Sequence, residues 1–380
     1  MKINLDKIIL FLIFISVFIQ IPLFLVSGSS YARFYHLLIP ILFLIILFRK
    51  EIIFFVNDVF IFFIFILFSI AIHSYFYSFN IYSMQIIFCM LIYYIVLNIA
   101  YYLKNEEQTY ILKLVFMIFL FIVLFKCLFY YDSLLDAYET KQASLINVLW
   151  IVAGNHNLEL TYISFIAIFY IKEKIPFYIL LLLLIILSTI YMSRIGIVEV
   201  FILLYFKYMM KFSLNKNIIY IFILSCLLCV FLILIFYFFD NNQFIERFTN
   251  IEEELNNTSS GRGMLWYGGL KLLEDNIFGY GIGNSISLTK EIVGKNFLEN
   301  NFHNIYLQYM LDLGVIPMLF YFYIIIKRII LSKDLTLKLF IIIFSLVSFI
   351  QFTGYDIVFW SFLALNDIYN FKYRLNKGYL

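Results

Sequence analysis

Apolar runs recur along the whole chain, separated by short polar breaks, and most run well past the length of a buried core strand or helix. At about 20 residues for a hydrocarbon core of ~30 Å, the pattern predicts about twelve spans. They fall near 7–26, 34–48, 56–73, 81–102, 110–131, 157–172, 175–192, 195–210, 217–239, 304–326, 336–352 and 356–371. The expected fold class is therefore an all-α integral membrane protein of about 12 transmembrane helices, with one large extracytoplasmic loop containing short helices. Residues 1–239 carry spans one to nine, 240–302 form the loop, and 303–380 carry the last three spans and a cytoplasmic tail.

The loop is the most polar stretch, with Glu252-Glu253-Glu254 and then Asn256-Asn257-Thr258-Ser259-Ser260-Gly261. Connections this long inside a compact protein are usually functional. Within the loop, Arg262 to Glu274 has the spacing of an amphipathic helix, with Leu265, Trp266, Leu270 and Leu273 as its apolar positions. No internal repeat is evident, which weighs against an inverted-repeat transporter.

Composition agrees with the pattern. Of 380 residues, 64% are hydrophobic and only 13% charged, which excludes water as the main solvent. The placement of Lys and Arg adds orientation. Basic clusters sit at the N-terminus, at Arg49-Lys50, Lys104 to Lys113, Lys172 and Lys174, Lys207 to Lys216, Lys327 to Lys338, and in the tail at Lys372, Arg374 and Lys377. Each cluster after the first follows an even-numbered span and the N-terminal one precedes them all, so both termini are expected in the cytoplasm. The first run, after Lys2 and Lys7, continues through Gln20-Ile21-Pro22 and reads as an uncleaved helix. Cys226 and Cys229 form a C-x-x-C inside an apolar run with no second pair and no neighbouring His, which reads as buried packing.

Three polar residues stand out by position, Arg194 and His303 at outer span ends and Arg262 at the start of the loop helix. Arg194 follows Ser193, Arg262 follows Ser259-Ser260-Gly261, and His303 follows Asn300-Asn301. Each is expected in the first turn of a helix behind a capping residue. A cation there opposes the helix dipole, yet it can join free backbone N–H groups in binding a phosphate. The alternative for the arginines is snorkelling to lipid headgroups. A neutral imidazole at His303 can accept the proton of an attacking sugar hydroxyl, as a general base must, and the alternative is a cap of the loop. Arg33 is a further outward arginine, while His36, His73 and His156 need no more than local hydrogen bonds.

Other chemistry fails on inspection. Gly279-Tyr280-Gly281-Ile282-Gly283 follows a helix rather than a strand and reads as a turn. No P-loop and no D-x-D pair is present, so neither ATP, a metal nor another cofactor is expected. Lys126 is the clearest ionisable residue deep in a span, and it is expected to snorkel.

Read in order, Ser193-Arg194, then Arg262-Gly-Met-Leu-Trp266, then Asn276-Ile-Phe-Gly279-Tyr-Gly281-Ile-Gly283-Asn284, then His303-Asn304 running to Gly314 resemble the O-antigen polymerase and O-antigen ligase superfamily. The resemblance covers the second half of the chain. It implies a bacterial enzyme of the cytoplasmic (inner) membrane, with its active site facing the periplasm or exterior. The implied reaction is inverting, metal-independent glycosyl transfer from an undecaprenyl-diphosphate-linked oligosaccharide donor to a lipid-linked acceptor. Arg194 and Arg262 would hold the diphosphate, and His303 would deprotonate or orient the acceptor hydroxyl. Arg33, Trp266 and Asn304 complete the expected substrate contacts. Expected partners are membrane lipids, a chain-length regulator and a flippase, with no nucleic acid. A polymerase of O-antigen or capsule repeat units is favoured over a ligase to the lipid A core, and a polytopic transporter or flippase is the reading from another class.

Overall fold

The computed structural model describes residues 5–27, 30–48, 57–76, 81–140, 155–209, 262–294, 301–349, 351 and 355–377. The span expected at 217–239, with Cys226 and Cys229, and the polar stretch from Glu252 to Gly261 lie outside the described residues. Fifteen helices and one hairpin make up the described residues, in two compact units. Unit 1 holds residues 1–119 and 256–380, and unit 2 holds 120–255.

Three helices are long and apolar enough to cross a membrane: α3 (Asp58–Phe76), α4 (Ile81–Tyr102, apolar from Tyr82) and α5 (Asn105–Phe129). Phe68, Phe121, Phe125 and Leu128 on α3 and α5 are exposed, which a lipid solvent permits and water does not. The other described helices of unit 1 are α1 (Leu5–Phe18), α2 (Phe34–Leu47), α10 (Arg262–Asp275), α11 (Ser285–Val293), α12 (Ile305–Leu313), α13 (Val315–Leu331), α14 (Leu335–Val347) and α15 (Ile357–Asn376).

Aromatic packing builds the core of unit 1, because lipid removes the hydrophobic drive between helices and leaves contact and polar bonds to hold them. Trp360 of α15 is fully buried against Phe62 and Phe63 of α3, with ring centroids 6.0 and 5.1 Å away. Phe359 stacks on Phe344 of α14 at 4.1 Å, and Phe362 on Phe340 at 4.2 Å. Phe14 and Phe18 of α1 meet Phe362 edge-on.

Polar contacts tie both ends of these helices. At one end, Arg328 of α13 donates to both carboxylate oxygens of Asp58 at 2.7 and 2.6 Å and to Asp367 at 2.9 Å. Tyr93 of α4 donates to Asp367 at 2.6 Å and accepts from Asn57 at 2.7 Å. At the other end of α3, 15 residues or roughly 22 Å along the axis, His73 Nε2 donates to the Gly279 carbonyl at 3.1 Å.

Two expected spans take another form. The run 7–26 ends as helix at Phe18, and Pro22–Ser27 (β1) pairs antiparallel with Ser30–Arg33 (β2). Pro22 has no N–H to extend the helix, so the chain turns to strand pairing. The span expected at 304–326 is broken at Gly314 into α12 and α13. Gly314 has φ 99°, and a Cβ there would lie 2.6 Å from the Phe278 carbonyl oxygen. Gly279, at φ 89°, meets the Gly314 nitrogen equally closely. Across this contact Tyr280 N–H donates to Leu311, Gly281 N–H to Asp312, and Val315 N–H to the Ile277 carbonyl. The glycine-rich segment is thus the turn the sequence predicts, seated in the helix break.

Unit 2 comprises the end of α5, α6 (Tyr131–Glu139), α7 (His156–Phe169), α8 (Lys174–Ile190) and α9 (Arg194–Met209), with α7, α8 and α9 packed on one another. Lys126 does not snorkel. It is buried in an ion pair with Glu159 of α7, and it donates to the Tyr191 hydroxyl at 2.5 Å. Tyr191 in turn donates to Glu159 at 2.7 Å. A buried charge needs such partners, and Glu159, 33 residues away, supplies what a trip to the interface would otherwise provide.

Gly314→Ala is expected to lower stability by more than about 1–3 kcal/mol, combining left-handed strain with a backbone clash. Gly294→Ala carries the same left-handed backbone (φ 66°) with open space around it, so it should cost about 1 kcal/mol. Melting temperatures of the detergent-solubilised variants compare the two.

Candidate functional site

The region around His303 rests on the mutual packing of α10, α11 and α12. Leu265 and Leu272 of α10, Ile286 of α11, and Phe302, Leu307 and Leu311 form one buried cluster with Tyr280. Helix α10 matches the expected amphipathic segment, with one change. Leu272 is buried, whereas Leu270 points to the exposed side. Gly268 and Gly269 let α10 come close: a Cβ on Gly268 would lie 2.6 Å from Val293, and one on Gly269 2.9 Å from both Phe302 and Leu311.

Beneath the cluster lies Asp312, a carboxyl with no exposed surface. Ser285 donates to one oxygen at 2.5 Å, while Gln308 and Tyr355 donate to the other at 2.7 and 2.8 Å. The Gly283 N–H adds a backbone bond. One acidic group therefore joins the start of α11, the last turns of α12, the glycine-rich turn and the segment entering α15. Its donors satisfy a group that would otherwise be costly to bury.

Gln308 carries the order one step further. Its side-chain oxygen accepts the Phe302 N–H at 3.2 Å, and the Phe302 carbonyl accepts Trp266 Nε1–H at 2.6 Å. Both backbone groups of Phe302 are thereby fixed from two helices. His303 follows with φ 52°, a left-handed conformation, and its N–H donates to Asn301 Oδ1 at 2.9 Å. Such a backbone costs about 1–3 kcal/mol and persists where its surroundings over-determine it. The imidazole is buried, at 8% exposure.

Of the expected site residues, Arg262 and Arg194 are each the first residue of a helix, α10 and α9. His303 is not in the first turn of α12. It precedes the N-cap, which is Asn304, and the left-handed backbone is what separates it from the helix. Asn304 Oδ1 accepts from the Tyr306 and Leu307 N–H groups at 3.0 Å each, so the expected substrate contact has a capping duty. Ser193 spends its hydroxyl on Asn157 at 2.6 Å. Trp266 stands one turn after Arg262 and holds the Phe302 carbonyl, which brings the first turn of α10 and the His303 segment into one neighbourhood of unit 1.

Arg33 closes the hairpin and donates to Gln20, while its backbone N–H donates to His36 Nδ1 at 2.8 Å. His36 Nε2 reaches Gln85 at 2.8 Å, and Gln85 donates to the Tyr355 carbonyl at 3.1 Å. His36 and His73 thus serve structural bonds, as the sequence led one to expect, although their partners are distant in the chain. Arg194 belongs to unit 2, where Tyr191, Met192 and Ser193 form the turn before it and Met192 takes φ 49°. Among the described residues, no group of three or more His, Cys, Asp or Glu side chains could hold a metal ion.

Asp312 and Gln308 went unremarked in the sequence. A lone carboxyl between Leu311 and Leu313 was the signal, since an ionisable residue inside an apolar run is costly and needs a partner.

Trp266→Phe keeps an aromatic ring but removes one hydrogen bond and part of the indole's packing, and is expected to cost about 1–2 kcal/mol. Asp312→Ala strands several buried donors and is expected to cost at least about 3 kcal/mol. Thermal unfolding of the solubilised protein measures both, and a loss for Asp312→Ala no larger than for Trp266→Phe would show that the carboxyl is not the anchor.

No curated protein matches the chain. Residues 176–322 match a family model, Wzy_C, described as O-antigen ligase. The matched segment runs from α8 into α13 and contains Arg194, Arg262, Trp266, His303, Asn304 and Asp312; Arg33 lies outside it. Nothing in that match supports the transporter reading. The match spans less than half of the chain, and it supports a likeness to the O-antigen polymerase and ligase superfamily.

Proposed function

We propose that the chain is a repeat-unit polymerase of O-antigen or capsule. It moves a glycan from an undecaprenyl-diphosphate carrier to a lipid-linked acceptor unit on the outer face of the bacterial cytoplasmic membrane. The observation that carries this reading is the over-determined His303. Its left-handed backbone follows a residue held by Trp266 and Gln308, inside the segment that matches the family model.

The chemistry balances without a cofactor. An acceptor hydroxyl attacks the anomeric carbon of the donor sugar from the face opposite the diphosphate. The new C–O bond forms as the bond to the diphosphate oxygen breaks, and undecaprenyl diphosphate leaves with the electron pair. His303 takes the hydroxyl proton, as a general base within hydrogen-bond reach can. Arg194 and Arg262 neutralise the departing anion through charge-assisted hydrogen bonds. Arg33, Trp266 and Asn304 contribute substrate contacts. Donor and acceptor arrive through the lipid, with a flippase supplying them and a chain-length regulator as a further partner.

A ligase reading has one observation in its favour, the description of the matching model itself. It shares the donor chemistry and differs in the acceptor, the lipid A core.

Surface glycan resolved on a gel separates these readings in wild type, a deletion and His303→Ala. A polymerase leaves core bearing one repeat unit and no ladder in both altered strains. A ligase leaves bare core with lipid-linked polymer accumulating. An unchanged ladder in His303→Ala would remove His303 from the mechanism. Arg262→Lys, which keeps charge but loses the guanidinium fork, is expected to retain a fraction of wild-type ladder, about a tenth or less.

A further inference from the structure

At the end of α3, α13 and α15 remote from His303, unit 1 contains a cavity of about 310 Å³. Two kinds of wall meet in it. Lys327, Arg328 and Arg374 bring positive charge, while Leu97, Leu331 and Phe371 are apolar. Asp367 also lines the cavity, and Asp58 lies behind it, bound to Arg328 and Lys327. Three cations against two carboxylates leave an excess of one positive charge.

Arg328 itself is not fully satisfied. It is only 5% exposed, and its Nη groups are spent on Asp58 and Asp367. Its Nε–H has no acceptor among the described residues. Buried donors of a charged group are rarely left so, because the missing bond costs about 1–3 kcal/mol. The cavity that Arg328 lines therefore combines net positive charge with an apolar wall, beside a buried charge network that is one acceptor short.

That combination selects a singly charged anion carried on an apolar body. The cavity has room for a headgroup but not for acyl chains, and just outside it Ile326 and Ile330 of α13 present exposed apolar surface. Basic pockets between membrane helices recognise lipid headgroups by this arrangement. We propose that the cavity is a binding site for the phosphate of an anionic phospholipid such as phosphatidylglycerol. Its oxygens accept from Lys327 and Arg374 at the cavity wall, and the acyl chains run along Ile326 and Ile330. The bound lipid joins α3, α13 and α15 at the end opposite His303. This site is independent of the glycan-transfer reading.

Full-length protein in phosphatidylcholine nanodiscs, titrated with phosphatidylglycerol and read by native mass spectrometry and thermal unfolding, tests the proposal. Wild type is expected to retain phosphatidylglycerol in preference to phosphatidylcholine and to melt higher with it. The double variant Lys327→Gln/Arg374→Gln should bind it about tenfold more weakly, the factor for losing one charge-assisted bond. Lys290→Gln, on α11, should behave as wild type. Should the double variant fail to fold, Arg374→Gln alone, at the exposed rim, carries the same comparison. Inorganic phosphate added to phosphatidylcholine discs distinguishes the source. Stabilisation by phosphate that vanishes in the variant keeps the phosphate site but makes its ligand soluble. Equal retention of the two lipids, or the same phosphatidylglycerol shift in variant and wild type with no phosphate effect, would overturn the proposal.

Discussion

A carboxyl taken out of solvent must be given donors, and the donors that Asp312 finds come from three separate stretches of chain. Ser285, Gly283, Gln308 and Tyr355 share no local secondary structure, yet each is fixed by the same two oxygens. Gln308 then fixes Phe302, and Phe302 sets the start of His303. The position of the proposed base is therefore inherited from an acid roughly 9 residues further along, about two and a half turns of helix. The proposed transfer asks mainly for placement, and a misplacement of 1 Å can cost on the order of a hundredfold in rate.

The two ends of unit 1 solve different problems with the same economy of charge. Near His303 the polar groups are mostly neutral donors and acceptors, apart from Asp312, and they secure turns and helix ends. At the far end Arg328, Lys327, Asp58 and Asp367 form a charged cluster that joins helices. Unit 2 uses a third arrangement, the buried Lys126–Glu159–Tyr191 cluster. In lipid, where apolar contact gives little preference for one helix partner over another, such polar joints specify which helices meet.

The helices were largely legible because a span leaves a long, unambiguous run. Expected spans at 34–48, 81–102 and 195–210 agree with α2, α4 and α9 to within one residue or so at each end. The hairpin at Pro22 and the break at Gly314 were hidden by the same apolar continuity that reveals spans. In both places backbone geometry overrode hydropathy, and Asp312-Leu313-Gly314 with Pro317 close behind was the available sign. The candidate residues Arg262 and His303 were legible as types at helix starts, one in the loop and one at a span end. Their supports, Gln308 and Asp312, were not, because their importance lies in bonds to residues 6 to 43 positions away.

The break between α12 and α13 also fixes an order of events. The carbonyls it exposes at Leu311 and Asp312 are filled by Tyr280 and Gly281, residues synthesised some thirty positions earlier. Helix α10 and the glycine-rich turn therefore leave the ribosome before the socket that receives them exists. They must wait, with their backbone groups in water, until the chain beyond Gly314 has been made. Assembly of the His303 region is in this sense a late event of biogenesis, completed only as the chain beyond Gly314 arrives.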